Sequence, residues 1–158
     1  MNKERTVTNN ATIFFDRDVN ASELKALLKD FKGDAILLEK LVLDTNLELE
    51  CNIYVIGNVE TDLLWPDFTI KGDLICYGSI DAYNIDVMGC CYSKLEIDAT
   101  NITVGEHFLC SDKVYANNNN ITVAGDFECY SVEAGSIFVL GKMKAEQGLM
   151  SDYVEVSY

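Results

Sequence analysis

The chain has 158 residues, 49% of them hydrophobic, with 26 acidic against 12 basic side chains and a formal net charge of −14. That length fits one domain burying about two thirds of its unfolded surface, and the hydrophobic content excludes an intrinsically disordered chain. The charge argues against nucleic-acid and anionic-membrane partners, whose phosphates are met by Lys and Arg. No stretch approaches the roughly 18 apolar residues of a spanning helix, and the start, MNKERTVTNN, lacks the apolar core of a signal peptide. The expectation is a cytoplasmic protein whose six cysteines stay reduced.

Residues 1–35 read as an N-terminal cap. Ala11–Phe15 has strand composition, and Asn20-Ala-Ser-Glu23 has the spacing of a capping box. Leu24, Leu27, Leu28 and Phe31 then form one apolar stripe, with Gly33 as a stop. This short helix is expected to cover the open end of the repeat beginning at residue 36, as terminal caps do in repeat folds.

Residues 36–158 carry that repeat. Ile-Thr-Val recurs at 102–104 and 121–123, with relatives beginning at 53, 68, 85, 137 and 154 and a less regular copy at Ile36-Leu-Leu38. The spacing averages about 17 residues. Asn52, Asp67, Asn84, Asn101 and Asn120 precede the phrase and predict a stacked turn, because Asn and Asp tolerate the left-handed conformation. Glycines 57, 72, 89, 125 and 141, with Gly105 one place early, predict a second bend. Val59, Leu74, Cys91, Phe108, Phe127 and Met143 align next, followed by a small-residue column of Thr61, Cys76, Ser93, Cys110, Cys129 and Ala145. Each copy is thus a set of short period-two strands that cannot bury its apolar face alone. Stacked copies predict an all-β, single-stranded β-solenoid of about seven coils, roughly 34 Å long at the parallel strand spacing.

The chain finishes on Val154, Glu155, Val156 and Tyr158, the start of another coil. An uncapped strand there would offer unpaired N–H and C=O groups as a self-association edge. Asp81, Asp98 and Glu133 fall near one column and form a candidate face for a basic partner.

Little in the chain points to catalysis. The cysteines contain no C-x-x-C pair and read as small hydrophobic packing groups. Glu106-His107 is the one dyad with a possible general base, and its place beside Gly105 reads as a solvated turn. Gly-x-Ser-x-Gly, Walker and dinucleotide motifs are absent. No metal, cofactor or enzymatic activity is expected.

The coil length, the aliphatic alternation and the bend glycines of Ile121-Thr-Val-Ala-Gly-Asp-Phe127 and Ile137-Phe-Val-Leu-Gly141 together resemble the bactofilins, bacterial polymer-forming cytoskeletal proteins. The resemblance covers about 36–158. It implies a right-handed parallel β-helix and end-to-end association into nucleotide-free filaments. The N-terminal helix departs from that pattern and favours a discrete oligomer. The functional expectation is a non-enzymatic scaffold that binds itself. The alternative is an acidic binding protein, such as an immunity protein neutralising a basic toxin.

Overall fold

The computed structural model describes residues 4–7, 12–62 and 65–157. It is an all-β solenoid whose coils each contribute strands to three faces, every one paired in parallel with the next coil. On face 1 the inward column runs Ile13, Ile36, Ile53, Leu74, Cys91, Phe108, Phe127 and Met143. On face 2 it runs Val19, Leu41, Val59, Ile80, Ile97, Val114, Val132 and Leu149. Face 3 carries Leu47, Phe68, Ile85, Ile102, Ile121, Ile137 and Val154. Seven coils with strands on all three faces therefore start near residues 35, 52, 74, 91, 108, 127 and 143, preceded by one with strands on faces 1 and 2 only. Their aliphatic and aromatic columns merge into one buried core, in which the rings of Phe108 and Phe127 stack with centroids 4.7 Å apart.

The repeat predicts this architecture but misplaces one stretch of the chain. Ile53-Tyr-Val55 does not stack on Phe68-Thr-Ile70. Ile53 pairs with Leu74, whereas Phe68 pairs with Leu47, so the two phrases lie on different faces of one coil. Val59 likewise belongs with Ile80, and Thr61 with Leu43. The segment 61–66 lengthens this coil, and both faces carry the same aliphatic alternation. The sequence therefore shows the longer coil as a shortened period.

Two turn expectations change in mechanism. None of the bend glycines has a positive φ, and among the described residues Asn117 alone is left-handed. The glycines are required by proximity: a Cβ on Gly125 would stand 2.6 Å from the Glu106 carbonyl oxygen of the preceding coil. The Asn and Asp column lies at strand starts and bonds between coils. Asn84 Nδ2 donates to Asp67 Oδ1 at 2.7 Å, and Asn101 Nδ2 donates to Asn84 Oδ1 at 3.0 Å.

At the N-terminus, strand β1 (Glu4–Val7) pairs antiparallel with strand β2 (Thr12–Asn20). β2 in turn pairs in parallel with strand β3 (Ala35–Leu43), so most of the predicted cap is itself a coil of the solenoid. Helix α1 (Ala21–Leu27) replaces the third strand of that coil and packs against the strand Leu47–Leu49. Asn20 caps it by accepting the Glu23 N–H at 2.9 Å. The Glu23 carboxylate completes the capping box by accepting from the Asn20 backbone amide, and it also pairs with Arg17. Phe15, Val19, Ala21 and Leu24 are all buried, which closes this end of the core.

The other end is open. Among the described residues, the last strand, Met143–Val156, pairs on one side only. Its inward positions Leu149, Val154 and Val156 are 48%, 39% and 36% exposed, although the equivalent residues one coil earlier are buried.

Candidate functional site

Each face presents a different chemistry outward, because the alternation that buries one residue points the next at solvent. Face 2 is acidic. Glu60, Asp81, Asp98 and Glu133 follow one another along its outward row, with Tyr115 between the last two. The three acids expected near a bend thus stand on strands, in register and one or two coils apart. Lys40 pairs with Glu60 at 2.8 Å and Asn117 donates to Asp98 at 3.2 Å.

Partial burial, then the charges of Asp98 and Glu60, hold the Asp81 carboxyl above its ordinary value of 3.8. Below pH 3.8 the group is protonated whether the chain is folded or not, and it costs nothing. As the pH rises through the raised folded value, ionising it in the folded chain becomes unfavourable, and that stability stays lost at pH 7. Asp81→Asn is therefore expected to stabilise the fold at pH 7 by about 0.2–1 kcal/mol. The gain should vanish below pH 3.8, as urea midpoints at the two pH values will show; an equal gain at both would exclude charge as its cause.

Face 1 differs in kind. Its outward row reads Phe14, Leu37, Tyr54, Ile75, Tyr92 and Leu109, one apolar or aromatic side chain per coil. Ile56 and Tyr77 widen it at the corner, and the Tyr77 ring meets Tyr92 edge-on with centroids 6.1 Å apart. Aligning the repeats by phrase hides this row, because it assigns Tyr54 to the wrong face. The signal in the sequence is the residue between the two inward positions of each face 1 strand. Face 3 shows Glu48, Thr69, Asp86, Thr103, Thr122, Phe138 and Glu155.

The residues of the candidate association edge lie on the last strand. Val154 and Val156 point towards the open end of the core, and Glu155 faces outward on face 3, where its carboxylate accepts from the Tyr153 hydroxyl at 2.9 Å. Tyr158 lies outside the described residues.

The corner between faces 3 and 1 carries the titratable groups. Asn52 Oδ1 accepts the Asp73 N–H, Asp73 Oδ1 the Cys90 N–H, and Asp126 Oδ1 the Lys142 N–H, each at 2.8 Å. His107 belongs to the same ladder: its Nδ1 accepts the Asp126 N–H at 3.0 Å. That bond requires the lone pair, so the 3.9 Å approach of the Asp126 carboxylate is not an ion pair of this tautomer. The dyad expected to be a solvated turn thus has a structural task.

Asp73, Cys90 and Glu106, from three successive coils, place a possible ligand atom each within 4.8 Å of one another. Sequence separation conceals this grouping. The Cys90 thiol donates to Glu106 Oε2 at 3.4 Å, and Asp73 already holds the Cys90 amide, so the three satisfy one another. The His107 backbone amide favours the Cys90 thiolate, but burial and the Glu106 and Asp73 carboxylates outweigh it and raise the pKa.

The remaining thiols are all free and buried. Burial pushes Cys76 and Cys110 up to about 11 and Cys129 up to about 12. They are more than space-fillers, because Cys76 Sγ donates to the Gly57 carbonyl at 3.2 Å and Cys110 Sγ to the Leu95 carbonyl at 3.3 Å. Buried Ser93, stacked between them, donates to the same kind of corner carbonyl. In these three coils a small X–H group meets a carbonyl that the corner turns toward the core.

No family model, curated protein or solved structure matches the chain.

Proposed function

We propose that the chain is a non-enzymatic scaffold of the bacterial cytoplasm that associates with itself through the open end of its solenoid, in the manner of the bactofilins it resembles. The observation that carries this reading is the last coil. Among the described residues the 14-residue strand there pairs on one side only, and its Leu149, Val154 and Val156 expose the cross-section of the core. Such an edge invites pairing with another strand. Charge favours it too: this coil holds Lys142 and Lys144 against Glu146, Asp152 and Glu155 in number, a near balance in a chain of net charge −14. The opposite end is closed by β1 and α1, which favours a discrete assembly over an open filament.

Light scattering at two protein concentrations and two salt levels tests the reading. The wild type is expected to exceed the monomer mass, and Leu149→Lys/Val154→Lys to return it to the monomer. A wild-type chain that stays monomeric throughout would overturn the reading, and a variant that still assembles would remove this edge from it.

The face 2 row favours a second reading, an acidic binding protein that neutralises a basic partner, such as an immunity protein. Asp81→Asn/Asp98→Asn/Glu133→Gln removes three charges from that row and keeps Leu149, Val154 and Val156 of the open end. It should abolish such binding while leaving self-association unchanged.

A further inference from the structure

Face 1 is used by neither reading, yet it carries the longest apolar row on the surface. Five side chains, Leu37, Tyr54, Ile75, Tyr92 and Leu109, follow one another over five coils, each directly opposite the next. Their Cα positions span about 19 Å at the parallel strand spacing. Scattered apolar side chains are ordinary on a protein surface, but a continuous row marks an interaction site. The tyrosines also suit an interface core, supplying large rigid area and a polar tip.

The backbone of these middle strands is hydrogen-bonded to a coil on each side, so face 1 offers no edge for strand addition. Recognition must come through side chains. A helix lying along the solenoid axis repeats its apolar face about every 5.4 Å, close to the coil step of about 4.8 Å. About 13 helical residues would cover the row.

The rims decide the charge of the occupant. Asp73, Glu106 and Asp126 stand along one edge, at the corner where the face 1 strands begin; beyond Leu109 the outward row passes to Glu128, which Lys144 already pairs at 3.1 Å. Among the described residues, no Lys or Arg lies within ion-pair distance of Asp73 or Glu106. A second copy of this chain would bring acid against acid.

We propose that face 1 is a docking surface for an amphipathic, basic helix of a partner protein, its apolar residues seated on the Leu37–Leu109 row and its Lys or Arg side chains on the acidic rim.

The test uses the full-length chain and a fluorescent helical probe of about 14 residues, leucine on one face and lysine on the other. Its acidic counterpart, with glutamate for lysine, is the control. Ile75→Ser/Tyr92→Ser removes apolar surface from the row without changing net charge, and a retained thermal midpoint shows that it folds. The basic probe should bind the wild type, lose about ten-fold or more in affinity on this variant, and bind the face 2 triple variant within about three-fold of wild type. The acidic probe should not bind.

An unchanged affinity for the row variant overturns the proposal, as does equal binding of the two probes or no binding of the basic one. Loss of binding with the face 2 variant alone also overturns it, and leaves the immunity-type reading standing. Self-association that the row variant abolishes would make the occupant a second copy and overturn it too. The end-to-end reading is decided separately, by the Leu149→Lys/Val154→Lys masses.

Discussion

Phe127→Ala should lower the unfolding free energy by about 3–5 kcal/mol, the cost of removing a large aromatic from a closed core. Phe127 is buried, stacks on Phe108 with ring planes 8° apart, and pairs with Met143 on the far side. Its loss leaves a cavity between two coils whose backbones are held apart by their own hydrogen bonds. The site cannot collapse to fill it, which places the cost at the upper end for such changes. Stacked rings add about 0.5–1.5 kcal/mol beyond area alone. Chemical denaturation reads the effect as a lower midpoint. Hydrogen exchange should localise it to the last three coils, because repeat proteins respond through nearest neighbours. A loss below about 1 kcal/mol would mean that the coils do not stack in this register.

Gly105→Ala should destabilise the protein by about 1–3 kcal/mol, a large effect for one added methyl group. The cause is overpacking. The new Cβ would clash with the Met88 carbonyl oxygen and lie 2.9 Å from its carbon, and both are backbone atoms of the coil beneath. They cannot move without disturbing the Gly105 N–H bond to the Val87 carbonyl at 2.8 Å. Since Gly105 has no positive φ, backbone conformation contributes no strain. Gly148 is the matched control. The nearest atom to a Cβ there is Ser131 Cβ at 4.0 Å, on the exposed last strand. Gly148→Ala should be neutral or stabilise by up to about 1 kcal/mol. Equal midpoints for the two variants would refute proximity as the reason for the bend glycines.

Much of the surface is legible in the sequence. The spacing makes Asp81, Asp98 and Glu133 neighbours, and they do share one face, because regular coils of about 17 residues convert sequence spacing directly into register. Val154–Val156 begins a further phrase of the repeat, and in the structure that stretch pairs with the preceding coil alone. The apolar row on face 1 is not legible. Finding it requires knowing that Tyr54 stands opposite Ile75, 21 positions on, and the segment at 61–66 hides that offset. In the Asp73–Cys90–Glu106 grouping, Asp73 and Cys90 hold the same place in successive coils, one residue before Leu74 and Cys91, but Glu106 stands one place earlier in its own, so only side-chain reach brings it to them.

The sequence by itself determined the fold class. Period-two alternation inside a repeat of about 17 residues admits few structures that bury every copy, and a parallel solenoid is one in which each copy satisfies the next. It also determined the net charge and the aliphatic alternation of the last coil, both properties of the chain as a string. Only the tertiary structure decided which residues share a face on either side of the long coil, because its extra residues change the offset between coils without disturbing the alternation. Only the tertiary structure showed why the glycines are needed, since close approach of two backbones is a relation between coils. The sequence predicts that α1 covers this end; only the tertiary structure decided that it does so in place of a third strand, with Ala21 and Leu24 buried there.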